Sequence, residues 1–237
     1  MLLFSRYKHL FVIPIVVILL SRSAETKMFS KIFKMTKSPI IGSLDTVNQR
    51  VQKTVLRTDV SLNERILYNF YVVEDRKLYR CAQLPHDVLN NYMKQFGIKT
   101  VVCLRGEHPE EDWWRREKAV VERRGGKFFS ISMNAGNMTS KSKLIKLLDI
   151  YDSAPRPILI HCRAGADRTG EAAALWVLEQ QKKSYSEAAK QLAFIPYHHR
   201  QTAYPAKDYL IKIWRGRKWL EQEYDAQNYP KFHADKN

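Results

Sequence analysis

The stretch "RPILIHCRAGADRTGEAAALWVLEQQ", residues 156–181, decides the fold. Its first part, residues 156–162, is a short apolar run that predicts a buried β-strand. Its last part, residues 168–181, has apolar residues at helical spacing and predicts an α-helix. The loop between them, "HCRAGADRTG" (161–170), combines a thiol, glycines, an arginine and an aspartate. A strand, a loop of small residues and a helix in this order predict an anion site, because backbone N–H groups converge at the helix N-terminus.

The segments around this stretch alternate between strands and helices. Each predicted strand is a short apolar or alternating run, and each predicted helix has apolar residues at helical spacing. The predicted strands are 66–73, 77–83, 99–106, 127–133 and 156–162. The predicted helices are 85–97, 109–126, 140–154, 168–181, 184–194 and 208–224. This alternation predicts an α/β fold with a central, mainly parallel sheet and helices on both faces.

The composition limits the kind of partner. The chain has 237 residues, a hydrophobic fraction of 45% and a formal net charge of +16. This balance is typical of a folded protein that meets an anionic partner. We find no nucleic-acid motif, so nucleic acid is not the predicted partner. Three cysteines, Cys81, Cys103 and Cys162, show neither a disulfide framework nor metal-ligand spacing, and we expect no metal and no cofactor.

The N-terminus has the layout of a targeting segment. Basic residues precede an apolar run, Leu10–Leu20, which is shorter than the roughly 20 residues that span a bilayer. We interpret residues 1–24 as a signal peptide or a membrane anchor, with a misplaced start site as a third reading. Export to the periplasm or the outside is one expectation and anchoring is the other. Because residues 22–37 are rich in lysine and arginine, an uncleaved anchor would favour a cytoplasmic domain.

The rest of the chain divides into three parts. Residues 25–62 are rich in Lys, Ser and Thr, and we predict a flexible basic tether. Residues 63–225 contain the predicted strands and helices and form the predicted domain. Residues 226–237 are the predicted C-terminal tail.

The loop carries the residues of phosphoryl transfer. Cys162, at a strand end and under the helix dipole, is the predicted nucleophile because that field lowers a thiol pKa. Arg168 can hold two phosphate oxygens in its planar fork. Thr169 can hydrogen-bond the sulfur when it leaves, and His161 is expected to orient the loop. The predicted phosphate-binding residues are Arg163, Ala164, Gly165, Ala166, Thr169 and Gly170.

The loop resembles the HCxxGxxR(S/T)G loop of cysteine-dependent protein tyrosine and dual-specificity phosphatases. The resemblance covers about residues 65–195, includes "LYRCAQ" (78–83), and is strongest to small bacterial dual-specificity-like enzymes. It implies a phosphatase-type phosphate loop between the buried strand and the helix, and hydrolysis through a phosphocysteine intermediate. The implied substrates are phosphotyrosine, with phosphoserine or phosphothreonine, in a protein. An anionic phospholipid or an inositol phosphate is the alternative, and an inactive phosphate-binding module is the third.

The chain departs from this family at the general acid. In the family an aspartate on a second loop protonates the leaving oxygen, but "SMNAGNMTS" (132–140) holds amides and no carboxylate. Asp167 is one substitute, because myotubularin and Sac-type phosphatases carry an aspartate at the similar loop position. A bound phosphate would raise the pKa of such a carboxyl group by like-charge repulsion. The alternative is that Asp167 only caps the following helix.

Three other features stay open at this stage. One acidic cluster either borders the pocket or forms a solvated first helical turn; it consists of Glu107, Glu110, Glu111 and Asp112. Residues 198–200, "HHR", are expected in a surface loop, with the cleft as the alternative. Residues 208–224 are expected to form one helix on the core, with a membrane-surface helix as the alternative.

Overall fold

The computed structural model describes residues 60–232, which contain a five-stranded sheet flanked by helices. The strands are β1 (Tyr71–Glu74), β2 (Leu78–Cys81), β3 (Thr100–Cys103), β4 (Lys127–Ser130) and β5 (Ile158–His161). The helices are α1 (Leu62–Tyr68), α2 (His86–Gln95), α3 (Asp112–Arg123), α4 (Lys141–Ser153), α5 (Asp167–Glu179), α6 (Tyr185–Ala189), the single turn α7 (Phe194–Tyr197), α8 (Pro205–Ile213) and α9 (Arg217–Gln222).

The sheet places β5 at its centre. The strand order is β1-β2-β5-β3-β4, and only β1 is antiparallel to its neighbour. His161 ends β5 and lies in register with Cys81 on one side and Cys103 on the other. The last residue of β5 is therefore enclosed by two strands, and the chain that follows leaves from the middle of the sheet edge.

Successive residues of each buried strand point to opposite faces of the sheet. Apolar residues of helices pack against both of these faces. On β5, Leu159 belongs to one apolar cluster with residues of α2 and α3, and Ile158 and Ile160 belong to another with residues of α4, α5 and α8. The predicted α/β fold, with a mainly parallel sheet between helices, is confirmed.

The predicted first strand, 66–73, is wrong in its first half. Residues Leu62–Tyr68 form α1, because Ser61 and Glu64 make a reciprocal capping box at its start. Asn69 then takes a left-handed conformation that ends the helix. The strand begins only at Tyr71.

The other corrections concern helix ends near the C-terminus. The predicted helix 208–224 is two helices, α8 and α9, separated at Trp214 by extended backbone and at Gly216 by a φ of +94°. The predicted helix 184–194 ends at Ala189 and continues as a 3-10 turn, Lys190–Leu192.

The predicted N-terminal segment and most of the predicted tether lie outside the described residues. Within residues 60–232, no helix combines the length and the apolar character needed to cross a bilayer. At the other end, Tyr229 and Phe232 pack their rings against Tyr209 of α8.

Candidate active site

The phosphate loop, residues 162–166, leaves β5 and leads directly into α5. Gly165 in its middle has a φ of +70°. A Cβ at this position would lie 2.6 Å from the backbone nitrogen of Ala82. Both the backbone angle and the close approach to the end of β2 therefore require glycine.

The carbonyl groups of the loop are held by donors outside it. The oxygens of residues 163–166 accept hydrogen bonds of 2.9–3.4 Å from the backbone N–H of Gln83, the side-chain amide of Asn69 and the guanidinium of Arg80. In a trans peptide the N–H points away from the carbonyl oxygen. The donors thus turn the N–H groups of the loop towards its inner side, where an anion would bind.

Arg80 is a site residue that the sequence reasoning missed. Its side chain is fully buried, bonds the loop at Gly165 and Ala166, and also donates to the backbone and side chain of Gln191 at 2.7 and 2.9 Å. Burial lowers the pKa of Arg80 to about 10, so it stays charged at neutral pH. An arginine at the centre of the apolar strand segment "LYRC" was the available signal.

The Cys162 thiol lies at the bottom of the loop and is 3% exposed. Burial alone would raise the pKa of Cys162, but Arg168 and hydrogen bonds from Thr169 and the Gly165 N–H outweigh it and lower the pKa. The Arg168 guanidinium also makes long contacts, 3.4 and 3.3 Å, to the carbonyl oxygens of Leu104 and Met133. The predicted cysteine and arginine are therefore brought together, with a thiol poised to ionise.

His161 and Glu117 form what we call the inner pair, below the phosphate loop. Their side chains are 1% and 3% exposed, and Nε2 of His161 lies 2.7 Å from Oε1 of Glu117. Burial opposes the charged imidazole, but Glu117 outweighs it and raises the pKa of His161 well above 6.5. His161 Nδ1 lies 3.3 Å from the Cys162 carbonyl oxygen, so the imidazole contacts the start of the phosphate loop. Glu117, inside the amphipathic helix α3, was not found from the sequence.

The inner pair lies beside Cys103, and ligand atoms of Cys103, Glu117 and His161 are within 4.8 Å of one another. A metal ion would need a thiolate and a neutral imidazole at these positions. Because Nε2 of His161 lies 2.7 Å from Oε1 of Glu117 and the pKa of His161 is raised, this cluster is better explained as an ion pair.

Asp167, His199 and Asp208 form what we call the outer array. Nδ1 of His199 lies 2.8 Å from Oδ1 of Asp167, and Nε2 lies 2.7 Å from Oδ2 of Asp208. The backbone N–H of Arg200 donates to the same oxygen of Asp167 at 3.3 Å. Ala166 is the N-cap of α5 and Asp167 is its first residue, and the hydrogen bonds of the Asp167 side chain join it to His199 and Arg200 instead of to the N–H groups of α5.

The outer array also corrects the placement of residues 198–200. His198 and Arg200 are exposed as expected for a surface loop, but His199 is 1% exposed. The reason is electrostatic, because two carboxylates can hold an imidazolium away from water. Burial opposes the change, yet hydrogen bonds from His199 and Arg200 lower the pKa of Asp167.

The second loop, residues 132–140, is anchored by a buried ion pair. Lys207 of α8 and Glu171 of α5 are both fully buried, with Nζ 2.7 Å from Oε2. Lys207 also donates to the carbonyl oxygen of Asn137 at 2.8 Å and to the hydroxyl of Thr139 at 3.0 Å. This loop, which holds no carboxylate, is thus fixed to the helix that follows the phosphate loop.

The remaining predicted residues fall into two groups. Arg163 and Ala164 are exposed on the phosphate loop, and Ala166 is buried in it. Gly170 has a packing role, because a Cβ there would lie 2.7 Å from a side-chain carbon of Leu192. The acidic cluster is exposed, but only Asp112 lies in α3, with Glu111 as its N-cap and with Glu107 and Glu110 in the segment before the helix.

The site combines a cysteine of lowered pKa, an anion loop with a glycine of positive φ, and Arg168 in the first turn of the following helix. This arrangement is that of the superfamily of cysteine-based, PTP-like phosphatases. The family described as "DSP-PTPase phosphatase fused to NAD+ kinase" matches residues 59–205, and the chain belongs to this family. The resemblance seen in the loop sequence is confirmed. A search of curated proteins found no match.

Solved structures support the same fold. TpbA from P. aeruginosa is 19% identical, with a TM-score of 0.51, over 62% of this chain and 86% of that one. A TpbA variant in complex with pTyr matches with 19% identity and a TM-score of 0.50, over 61% and 83% of the two chains. The core catalytic domain of the PP-IP phosphatase SIW14 from S. cerevisiae is 21% identical, with a TM-score of 0.50, over 65% and 89%.

Proposed function

We propose that the protein hydrolyses phosphomonoesters through a phosphocysteine intermediate on Cys162. The observation that carries the proposal is the buried Cys162 thiol, whose pKa Arg168, Thr169 and the Gly165 N–H lower together. The thiolate attacks phosphorus, a sulfur–phosphorus bond forms, and the bond to the leaving oxygen breaks. Water then attacks the phosphocysteine, which releases inorganic phosphate and restores the thiolate.

The other loop residues have supporting roles in this proposal. Arg168 and the N–H groups of residues 163–166 bind the phosphate oxygens and stabilise the charge of the transition state. Thr169 donates its hydroxyl to the sulfur when that sulfur leaves in the second step. Arg80 and Asn69 keep the loop in its binding conformation through its carbonyl groups.

Phosphotyrosine in a protein is the proposed substrate. A phenol has a pKa of about 10, whereas the pKa of an alkyl alcohol is closer to that of water, about 15.7. An alkyl leaving group therefore depends more on protonation by a general acid. A site whose second loop, residues 132–140, offers no carboxylate suits the better leaving group. The structural neighbour TpbA, in a variant crystallised with pTyr, is consistent with this substrate class.

An inositol phosphate or a phosphoinositide is the second candidate. Arg163 on the loop and Arg200 beside Asp167 are both exposed, and the chain carries a net charge of +16. Further phosphate groups on one substrate could engage these cations. The neighbour SIW14, named as a PP-IP phosphatase, makes this chemistry a reasonable test.

The experiment compares the full chain with Cys162→Ser, Arg168→Lys and Arg163→Gln. The substrates are an aryl phosphate, a phosphotyrosyl peptide, a phosphoseryl peptide, a soluble inositol polyphosphate and phosphoinositide vesicles. We expect kcat/KM to be highest for the phosphotyrosyl peptide and to fall about a thousandfold or more in Cys162→Ser. Full activity of Cys162→Ser would contradict the mechanism.

The same panel separates the two substrate classes. A preference for the inositol polyphosphate that Arg163→Gln removes, with the aryl phosphate rate unchanged, would favour the second candidate. Binding of the phosphopeptide without turnover by the intact chain would favour a phosphate-binding module.

A further inference from the structure

We propose that His199 is the proton reservoir of the reaction, and that its Nδ1 proton reaches the leaving oxygen through Asp167. The inference rests on the proposed function, because it needs a phosphoryl transfer at Cys162. It explains how a site without a carboxylate on its second loop can still protonate a leaving group.

The geometry of the outer array supports a relay. The His199 side chain is 0% exposed, and each ring nitrogen faces one carboxylate, at 2.8 Å for Asp167 and 2.7 Å for Asp208. Asp208 accepts from Nε2, so Nδ1 is the nitrogen that can give and take a proton towards Asp167. This is the logic by which a second carboxylate fixes a histidine in one tautomer.

Asp167 links the imidazole to the phosphate loop. It directly precedes Arg168 and is the residue at which the loop becomes helix α5. Its side chain is 14% exposed, whereas that of His199 is closed to water. Oδ1 accepts from His199 and from the Arg200 backbone N–H, so Oδ1 is the oxygen that would receive the Nδ1 proton.

The resting protonation states place the proton on the imidazole. Although burial opposes both changes, the hydrogen bonds of the array lower the pKa of Asp167 and raise that of His199 to about 9. Without His199 as a proton source, Asp167 would be a carboxylate at neutral pH and would have no proton to give. The charged groups that face His199 are the two carboxylates, with Arg200 next to Asp167.

The proton passes from His199 to the leaving oxygen in two transfers. His199 gives its Nδ1 proton to Oδ1 of Asp167, and the carboxylic acid so formed gives this proton to the leaving oxygen as the phosphorus–oxygen bond breaks. The imidazolium becomes neutral imidazole, Asp167 ends as a carboxylate, and the leaving group departs as an alcohol or a phenol. When water attacks the phosphocysteine, its proton returns to His199 by the same route.

The alternative is that the array only ties the phosphate loop to α8. Leaving-group dependence separates the two, because a structural tie would affect every substrate alike. We would measure kcat/KM of the full chain for aryl phosphates with leaving-group pKa values from low to high, and for an alkyl phosphate. The variants are His199→Gln, Asp167→Asn and the double variant, with His198→Asn at the exposed neighbour as the matched control.

The relay predicts that His199→Gln and Asp167→Asn each lose about a hundredfold or more on the alkyl phosphate, with little loss on the most activated aryl phosphate. The double variant should be no slower than the slower single variant, because both residues act in one path. His198→Asn should match the unmodified protein on every substrate. Thermal unfolding of each variant identifies any that fail to fold, and Asp167→Asn then carries the test.

An equal loss on all leaving groups, or no loss in His199→Gln, would overturn the relay. Additive losses in the double variant would do the same. These results differ from a failure of the proposed function, which would show as activity retained in Cys162→Ser.

Discussion

The inner pair and the outer array are both histidine–carboxylate contacts at the phosphate loop, but only one of them meets solvent. Glu117 and His161 are 3% and 1% exposed. In the outer array the imidazole is closed off, while Asp167 and Asp208 are 14% and 22% exposed. One contact is therefore sealed under the loop, and the other has carboxylates at the surface.

This difference in exposure favours a structural role for the inner pair and a role in proton transfer for the outer array. A sealed ion pair cannot easily exchange protons with substrate or water, and losing one partner leaves a buried charge without compensation. A pair with a partly exposed carboxylate loses less when one partner is removed, and it can pass a proton outwards. The two histidines should thus respond differently to the same kinds of perturbation.

The largest effect on stability is expected from Glu117→Ala. Removing this carboxylate leaves His161 charged or forces it to become neutral in a buried site, which should reduce the free energy of unfolding by about 3–5 kcal/mol. Urea unfolding monitored by tryptophan fluorescence measures it. The matched control is Asp112→Ala, an exposed carboxylate of the same helix paired with Arg116, for which we expect a loss of less than about 1 kcal/mol.

A smaller loss of stability is expected from His199→Gln. The substitution removes charged hydrogen bonds to Asp167 and Asp208, which contribute about 1–3 kcal/mol, but both carboxylates keep contact with water. The same urea titration tests this order. A loss in His199→Gln that equals or exceeds the loss in Glu117→Ala would remove the distinction between the two sites.

The smallest expected effect is the change of the free energy of unfolding with pH. His161 and His199 both have pKa values raised above their ordinary 6.5, to about 9 for His199. The folded protein therefore holds more protons than the unfolded chain above pH 6.5, and the free energy of unfolding should fall as the pH rises from 6.5 to 9. The slope should be less steep in His199→Gln, with the remainder due to His161.

On the acid side the sign reverses. The pKa of Glu117 is lowered from its ordinary value of 4.5, because the effect of His161 outweighs that of burial. Its contribution to the free energy of unfolding is present above pH 4.5 and is lost as the pH falls through the folded-state pKa.

An unchanged slope of the free energy of unfolding between pH 6.5 and 9 in His199→Gln would show that His199 is not protonated in the folded protein.

The phosphate loop could be predicted from the sequence because its determinants are local. A buried strand, a glycine that needs a positive φ and an arginine at the start of a helix lie within one short stretch, and Cys162, Gly165 and Arg168 followed from it. The alternation of strands and helices was equally local, and it predicted the sheet between two helical layers.

The partners of the loop could not be predicted because they come from distant parts of the chain. Arg80, Glu117 and His199 reach the loop from β2, from α3 and from the segment before α8. Glu117 and His199 lie in sequence neighbourhoods that resemble a solvated surface, because their burial depends on the tertiary fold. Arg80 lies in an apolar strand segment, but the groups that it bonds are distant in the sequence. The wrong prediction at residues 66–73 has a local cause, since the capping box of α1, Ser61 and Glu64, can be recognised in the sequence.

The central claim is that Cys162 carries the phosphoryl group during turnover. The direct measurement is a rapid denaturant quench of the full chain mixed with an excess of aryl phosphate, followed by mass spectrometry of the peptides. The account predicts one phosphoryl group on the peptide that contains Cys162, formed and lost at rates compatible with turnover, and none in Cys162→Ser. Turnover with the phosphoryl group on a histidine, or with no phosphorylated peptide at any quench time, would contradict it.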